Sequence, residues 1–289
     1  MTSETATIDD NQMDVDVLDR INAMRSQEEK TKGCHNYFTS IVDESCRKAI
    51  VDWCFIVADS FDLSRETVGI AMSILDRYLS SNGKGKSAEA LQSKQTFQLV
   101  AITSFYMAVK INEPVQLGIE MLVKLCRGFY TGSTIAATEQ DILYSLKWRV
   151  CISTTTPMEY VRHFLELLPG SMHVSHVILE NAMKHMDCAT SDIIFSTCRA
   201  STVGIVCLAG AINDTLEISP SEKELLWAQL SSKLDFDVAS NEVRKVERQL
   251  LAKSACHEPR SQSRTSLPRP GVNSANKQPL SPGSVMQVW

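Results

Sequence analysis

A chain of 289 residues with 44% hydrophobic and 22% charged side chains has globular composition and can bury one large core or two ordinary ones, which favours two domains. The formal charge of −5 is unevenly placed, with eight acidic against three basic side chains in residues 1–30 and five basic against one acidic in residues 253–289, so there is no overall electrostatic case for nucleic-acid binding. Nine scattered cysteines, a polar acidic start and no apolar run longer than the 13 residues Ala200 to Ile212 point to a reduced, soluble protein of the nucleus or cytoplasm, without signal peptide or membrane span.

Residues 1 to about 12 are expected to be disordered, after which Val15, Leu18, Ile21 and Met24 mark a short amphipathic helix to about Lys30 that needs a surface to lean on. A linker containing Gly33 follows. From Ser40, the residues Ile41, Ile50, Trp53, Cys54, Val57 and Phe61 trace a helical stripe. Ser64 resembles an N-cap, with Glu66 in the first turn of a helix that carries Val68, Met72, Leu75 and Leu79 inward and ends near Ser80. Asn82 to Lys86 reads as a flexible glycine loop. Lys94 to Pro114 then reads as a helix buried on most sides, because Phe97, Val100, Ala101, Ser104, Phe105 and Ala108 line one face and the opposite face is nearly as apolar. Its C-terminal end carries Lys110 and Glu113 before the stop signal Pro114.

Two shorter helices are expected at Leu117 to Cys126 and Thr134 to Leu146, the latter capped by Ser133 or Thr134. A threonine-rich linker, Ser153 to Thr156, leads to Pro157, a favoured first-turn residue. A second helix group follows at about 157–168, 173–188, 198–212, 220–233 and 240–254, with no competing strand pattern. Five of the nine prolines fall after residue 258 among many serines, so residues 257–289 are expected to form a disordered tail. The resulting division is 1–39, 40–150, 151–256 and 257–289, all α-helical where folded.

Chemistry-bearing side chains are sparse. His173 and His176, with His185 and Cys188, form two pairs at helical spacing, but on one helix the pairs stand nine residues or about 13.5 Å apart, too far for one metal ion. Cys34 and His35 are an adjacent nucleophile and base, but no acid is evident to orient them. No catalytic residue, metal site or cofactor is expected.

Four stretches are similar to one family. "CRKAIVDW" (46–53), "LSRETVGIAMSILDRYLS" (63–80), "FQLVAITSFYMAVKINEP" (97–114) and "EQDILYSLKWRV" (139–150) together resemble the cyclin box, as its helices one, two, three and five. Arg47, Asp76, Leu99, Lys110 and Glu139 match the residues most characteristic of the box, strongly over about residues 40–150. "TPMEYVRHFLELLP" (156–169) resembles the start of the second fold, most like D-type or plant-like cyclins.

The resemblance implies two tandem five-helix folds and a regulatory subunit, not an enzyme, that binds a cyclin-dependent protein kinase and sets its mobile C-helix and activation segment for catalysis. It implies a buried ion pair between Arg47 and Asp76, which docks helix one on helix two. Lys110 and Glu139, at ends of adjacent helices, would hydrogen-bond the kinase, with Met107, Leu143, Trp148 and Val150 forming an apolar pocket beside them. Ile50, Trp53, Phe97 and Gln98 match a docking patch for substrates or inhibitors bearing Arg-x-Leu motifs. Cys46 and Ala49 replace larger residues there, and Ile56 stands where the family has a carboxylate, so weak or altered docking is implied. Transcription-associated cyclins and B-factor-like transcription proteins share the double fold, but no zinc ribbon or basic DNA-facing helix is visible. Ser281-Pro282 and Arg264 to Leu267 resemble phosphorylation and destruction signals, and no Leu-x-Cys-x-Glu motif occurs.

Overall fold

In a computed structural model the structure describes residues 4–30, 33–81, 85–115, 117–150, 155–168, 172–234, 237 and 240–254. Among them are thirteen helices and no strand: α1 (Glu4–Lys30), α2 (Glu44–Ser60), α3 (Glu66–Ser80), α4 (Lys86–Ala90), α5 (Lys94–Asn112), α6 (Ile119–Leu125), α7 (Gly132–Ser145), α8 (Pro157–Glu166), α9 (Met172–Thr190), α10 (Ile193–Ser196), α11 (Ala200–Asp214), α12 (Pro220–Lys233) and α13 (Asn241–Ser254). The chain is all-α. The expected signals at Ser281 and Arg264 to Leu267, the residues Asn82 to Lys84 and the first half of the threonine-rich linker, Ser153 and Thr154, lie outside the described residues.

The helix starts follow from side chains that accept otherwise orphaned backbone N–H groups. Asp43 accepts the Cys46 N–H at 3.0 Å and Ser93 accepts that of Thr96 at 3.2 Å. Thr156 with Glu159, and Ser219 with Glu222, close reciprocal capping boxes just before Pro157 and Pro220. Three sequence expectations change. α1 begins at Glu4, so its helix extends back over residues expected to be disordered. α7 is capped by Thr131, not by Ser133 or Thr134, since the Thr131 hydroxyl takes the Thr134 N–H at 3.1 Å. Ser64 lies one residue outside the cap position of α3, which Arg65 occupies, although its Oγ accepts the Glu66 N–H at 3.3 Å.

The described residues of His35–Cys151 and Thr190–Ile193 form one compact unit. Its axis is α5, against which α2, α3, α4 and α7 pack. From Phe97 to Val109 every residue except Tyr106 is buried. The buried hydroxyls of that run are satisfied by their own helix: Thr103 Oγ1 donates to the Leu99 carbonyl at 2.7 Å and Ser104 Oγ to that of Val100 at 2.9 Å. α5 stops at Asn112, two residues before Pro114, as proline's restriction on its predecessor requires.

The described residues of Met1–Cys34, Ile152–Ala189 and Ile194–Cys256 form the other unit, with α11 as its buried axis against α8, α12 and α13. Gly204 permits the close approach of α11 to α8, because a Cβ there would lie 2.8 Å from the Pro157 carbonyl oxygen. α1 belongs to this unit and leans on α8, burying Val17 and Ile21. Glu28 of α1 also caps α11, whose own cap residue supplies no side-chain bond, by accepting the Ser201 N–H at 2.9 Å and its hydroxyl at 2.7 Å. Cys34, Cys46, Cys54, Cys126, Cys188, Cys198 and Cys207 are all free thiols. Burial pushes the Cys54 and Cys207 thiols far up and that of Cys126 to about 12. Among the described residues no helix is long and apolar enough to cross a membrane.

Candidate functional site

Within the α5 unit, the register of α2 on α3 is fixed by a buried polar cluster. Arg47 and Asp76, each about 1% exposed, meet through two bonds: Nη1 to Oδ1 at 2.5 Å and Nη2 to Oδ2 at 3.0 Å. The Tyr37 hydroxyl donates to Asp76 Oδ1 at 2.8 Å and accepts from Arg47 Nη1 at 3.0 Å, and Arg47 Nη2 reaches the Thr190 carbonyl at 3.2 Å. Burial alone would lower the Arg47 pKa, but the Asp76 carboxylate and the Tyr37 hydroxyl together more than reverse this and keep the guanidinium charged. Burial, reinforced by the Asp76 charge, pushes the Tyr37 hydroxyl well above its usual range, so it remains a donor. Tyr37 was not foreseen, because it stands in a linker without periodicity.

Lys110 occupies the last turn of α5. Its Nζ contacts Glu139 Oε1 and lies 4.8 Å from the centroid of the Tyr106 ring. Glu139 is in the middle of α7, not at a helix end as expected, so the pair joins the end of one helix to the flank of the next. The Lys110 side chain is 39% exposed and that of Glu139 18%. An ion pair this open contributes roughly 0–1 kcal/mol to stability.

The same end of α5 is locked to the start of α3. Glu113 accepts the Ser64 N–H at 3.0 Å and the Thr67 hydroxyl, while Asn112 Nδ2 donates to Thr67 Oγ1 at 2.8 Å. A carboxylate at a helix N-terminus meets the positive end of its dipole. Lys110 is thus presented on a fixed helix end, flanked by the exposed Ile111, which sequence reasoning did not single out.

The four expected pocket residues divide. Met107 and Val150 are core residues, and Leu143 is half-buried against the same core. Trp148 is 62% exposed, and its ring meets that of the equally exposed Tyr144 edge-on, with centroids 6.1 Å apart. Tyr144 was also missed, because Trp148 lies beyond the helix that carries Tyr144 and no helical spacing links the two. Beyond α7, Lys147 and Trp148 have φ of 53° and 60°, a left-handed conformation that costs a non-glycine residue roughly 1–2 kcal/mol.

The candidate docking patch is closed. Ile50, Trp53, Phe97 and Gln98 are all buried, the Trp53 ring packs edge-on against Phe105 at 5.8 Å, and Gln98 Oε1 accepts the Tyr130 hydroxyl at 2.7 Å. Their stripe faces the core of the bundle, so in this structure they present no surface to a peptide. In the other unit, His185 Nε2 lies 2.9 Å from Asp214 Oδ2 and His176 3.7 Å from Glu180. The side chain of His173 lies outside those described. Among the described residues no three metal-ligand side chains gather.

The comparisons with known proteins bear on this all-helical unit and its surroundings. The model of the cyclin N-terminal domain matches residues 19–151. G1/S-specific cyclin-D1 of Xenopus laevis is 27% identical over 205 residues, covering 68% of this chain and 65% of that protein. The human G1/S-specific cyclin-D1 is 28% identical over 209 residues, covering 70% of this chain and 66% of that protein. The matches thus span just under two thirds of these relatives' own length. The X-ray structure of a viral cyclin from herpesvirus saimiri shares the fold, with a TM-score of 0.62 at 20% identity, covering 80% of this chain and 96% of that one. Residues 19–151 of the chain thus carry a cyclin N-terminal domain.

Proposed function

We propose that this chain is a regulatory subunit that binds and activates a cyclin-dependent Ser/Thr protein kinase and thereby controls cell-cycle progression. The observation that carries the reading is the Lys110–Glu139 pair: a part-exposed cation at the end of a buried helix, next to the exposed Ile111, joined to a carboxylate on the flank of α7. Lysine donates to carbonyls and glutamate accepts from N–H groups, so together they can grip one segment of partner backbone. Ile111 next to Lys110, and Tyr144 and Trp148 at and beyond the end of α7, supply exposed apolar area, and Leu143 is half-buried. A kinase segment held there would keep the kinase's C-helix in the position where its catalytic lysine and glutamate pair. The chain itself performs no chemistry in this reading. Substrate docking through Arg-x-Leu motifs would need the closed Trp53 patch to open and is expected to be weak.

The test is co-purification of a cyclin-dependent kinase with the full chain. Lys110→Ala combined with Glu139→Ala is expected to abolish it while helical content measured by circular dichroism persists. Unchanged co-purification would overturn the reading.

A further inference from the structure

The turn that carries Trp148 has no glycine at either of its left-handed positions, so something must hold it. Within the turn, the N–H groups of Lys147, Trp148 and Arg149 donate to the carbonyls of Tyr144, Leu143 and Leu146 at 3.0, 2.8 and 3.0 Å. From outside it, Arg77 in the last turn of α3 donates Nη2 to the Arg149 carbonyl and Nη1 to that of Val150 at 3.4 Å. The flanking α3 residues tie down the surrounding elements: Asp76 holds Arg47 of α2, and the Tyr78 hydroxyl donates to Asp141 of α7. α3 thus fixes both the flank of α7 and the turn that leaves it.

We propose that Arg77 is a positioning residue for the partner-binding face, setting where the Trp148 indole stands relative to Glu139 and Lys110. This rests on the kinase-binding reading above. The fork of a guanidinium matches two successive carbonyl oxygens, whereas a lysine at the same place could serve only one well. The two carbonyls follow Trp148 directly, so clamping them fixes the chain just beyond the left-handed pair. Without the clamp, Lys147 and Trp148 fall back to negative φ and the indole swings away from its place beyond α7. Glu139 to Ser145 spans about 9 Å of helix, so a displaced indole leaves the reach of a segment gripped at Glu139.

Three readouts test this on the full chain, with the kinase that co-purifies with the wild type as the probe. Arg77→Gln is expected to weaken kinase binding at least tenfold and to shift the indole N–H resonance of Trp148, assigned with Trp148→Phe. Adding Lys147→Gly, which accepts the left-handed conformation freely, is expected to recover a large part of the lost binding. A residue that merely packs α3 would show no such recovery. Should Arg77→Gln fail to fold, Arg77→Lys serves, with an intermediate loss at unchanged helical content. The inference is overturned if the Arg77 variant binds within twofold of wild type, if the indole resonance stays in place, or if Lys147→Gly recovers nothing. If Lys110→Ala with Glu139→Ala keeps full binding, the kinase reading fails by itself, and the Trp148 resonance alone then decides whether Arg77 positions the turn.

Discussion

Arg47 carries a full charge with almost no access to water, and only its partners make that tolerable. Asp76→Asn replaces a charge by an amide of the same shape, leaving the guanidinium unpaired in the core. Such a loss costs about 3–5 kcal/mol, whereas replacing both partners by apolar residues of similar volume is expected to cost far less. Urea unfolding of Asp76→Asn against Arg47→Met with Asp76→Leu checks this, and a cost for Asp76→Asn below about 1 kcal/mol would show that the cluster is not held by charge. Lys147 presents the opposite case, since its strain comes from the backbone. Lys147→Gly is expected to raise stability by up to about 1 kcal/mol, the left-handed penalty relieved being partly offset by the greater freedom of glycine when unfolded. Tyr37 and the Lys147–Trp148 turn were not readable in the sequence for related reasons. Neither sits on a periodic stripe, and no glycine marks the positive φ values.

Among the elements, the two buried axes were the most legible and the shortest helices the least. α5 announces itself because apolar residues recur around its whole circumference. α4 and α10, with five and four residues, are too short to show any period. Hydrophobic stripes told which face of α2 points inward, but not how completely α3 and α5 would cover Trp53 and Ile50, so a patch was expected where the structure has core. The helix-end placement of Glu139 came from the resemblance alone, since the expected helix Thr134 to Leu146 already holds that residue in its interior, whereas the cap stayed open because three hydroxyls at Thr131, Ser133 and Thr134 compete for that role. In the other unit, Gly204→Ala would place a Cβ 2.8 Å from the Pro157 carbonyl oxygen and 2.9 Å from the Tyr160 Cβ. Neither neighbour is the free end of a flexible side chain, so α8 and α11 must separate, at an expected cost of about 1–3 kcal/mol in urea or thermal unfolding. Glu28→Ala removes the cap that α1 lends to α11 and is expected to cost about 1 kcal/mol by the same measurement. An unchanged midpoint would mean that backbone solvation replaces the cap.

At the scale of the molecule, acid stability is set partly by helix starts. Hydrogen bonds from Ser45 and then from the Cys46 N–H hold Asp43 down to about 2, and those from Ser219 lower Glu222. Because folding depresses these pKa values, the stabilisation is present above the ordinary carboxylate range and is lost as pH falls toward the folded values. Stability is therefore expected to drop between about pH 4 and pH 2. Asp43→Asn, which still caps but does not titrate, should flatten that slope in acid denaturation curves. The division into two helical groups was visible from proline and glycine placement. That α1 joins the second group was not, because a lone amphipathic stripe states only that it needs a partner.

The buried thiols give each core its own clock. A thiol held protonated by burial alkylates slowly until the helix around it opens. Cys54 and Cys126 lie in the core built on α5 and Cys207 in that built on α11. The rates at which iodoacetamide labels them, followed peptide by peptide, would therefore time the opening of the two cores separately in the unaltered protein, with no probe introduced.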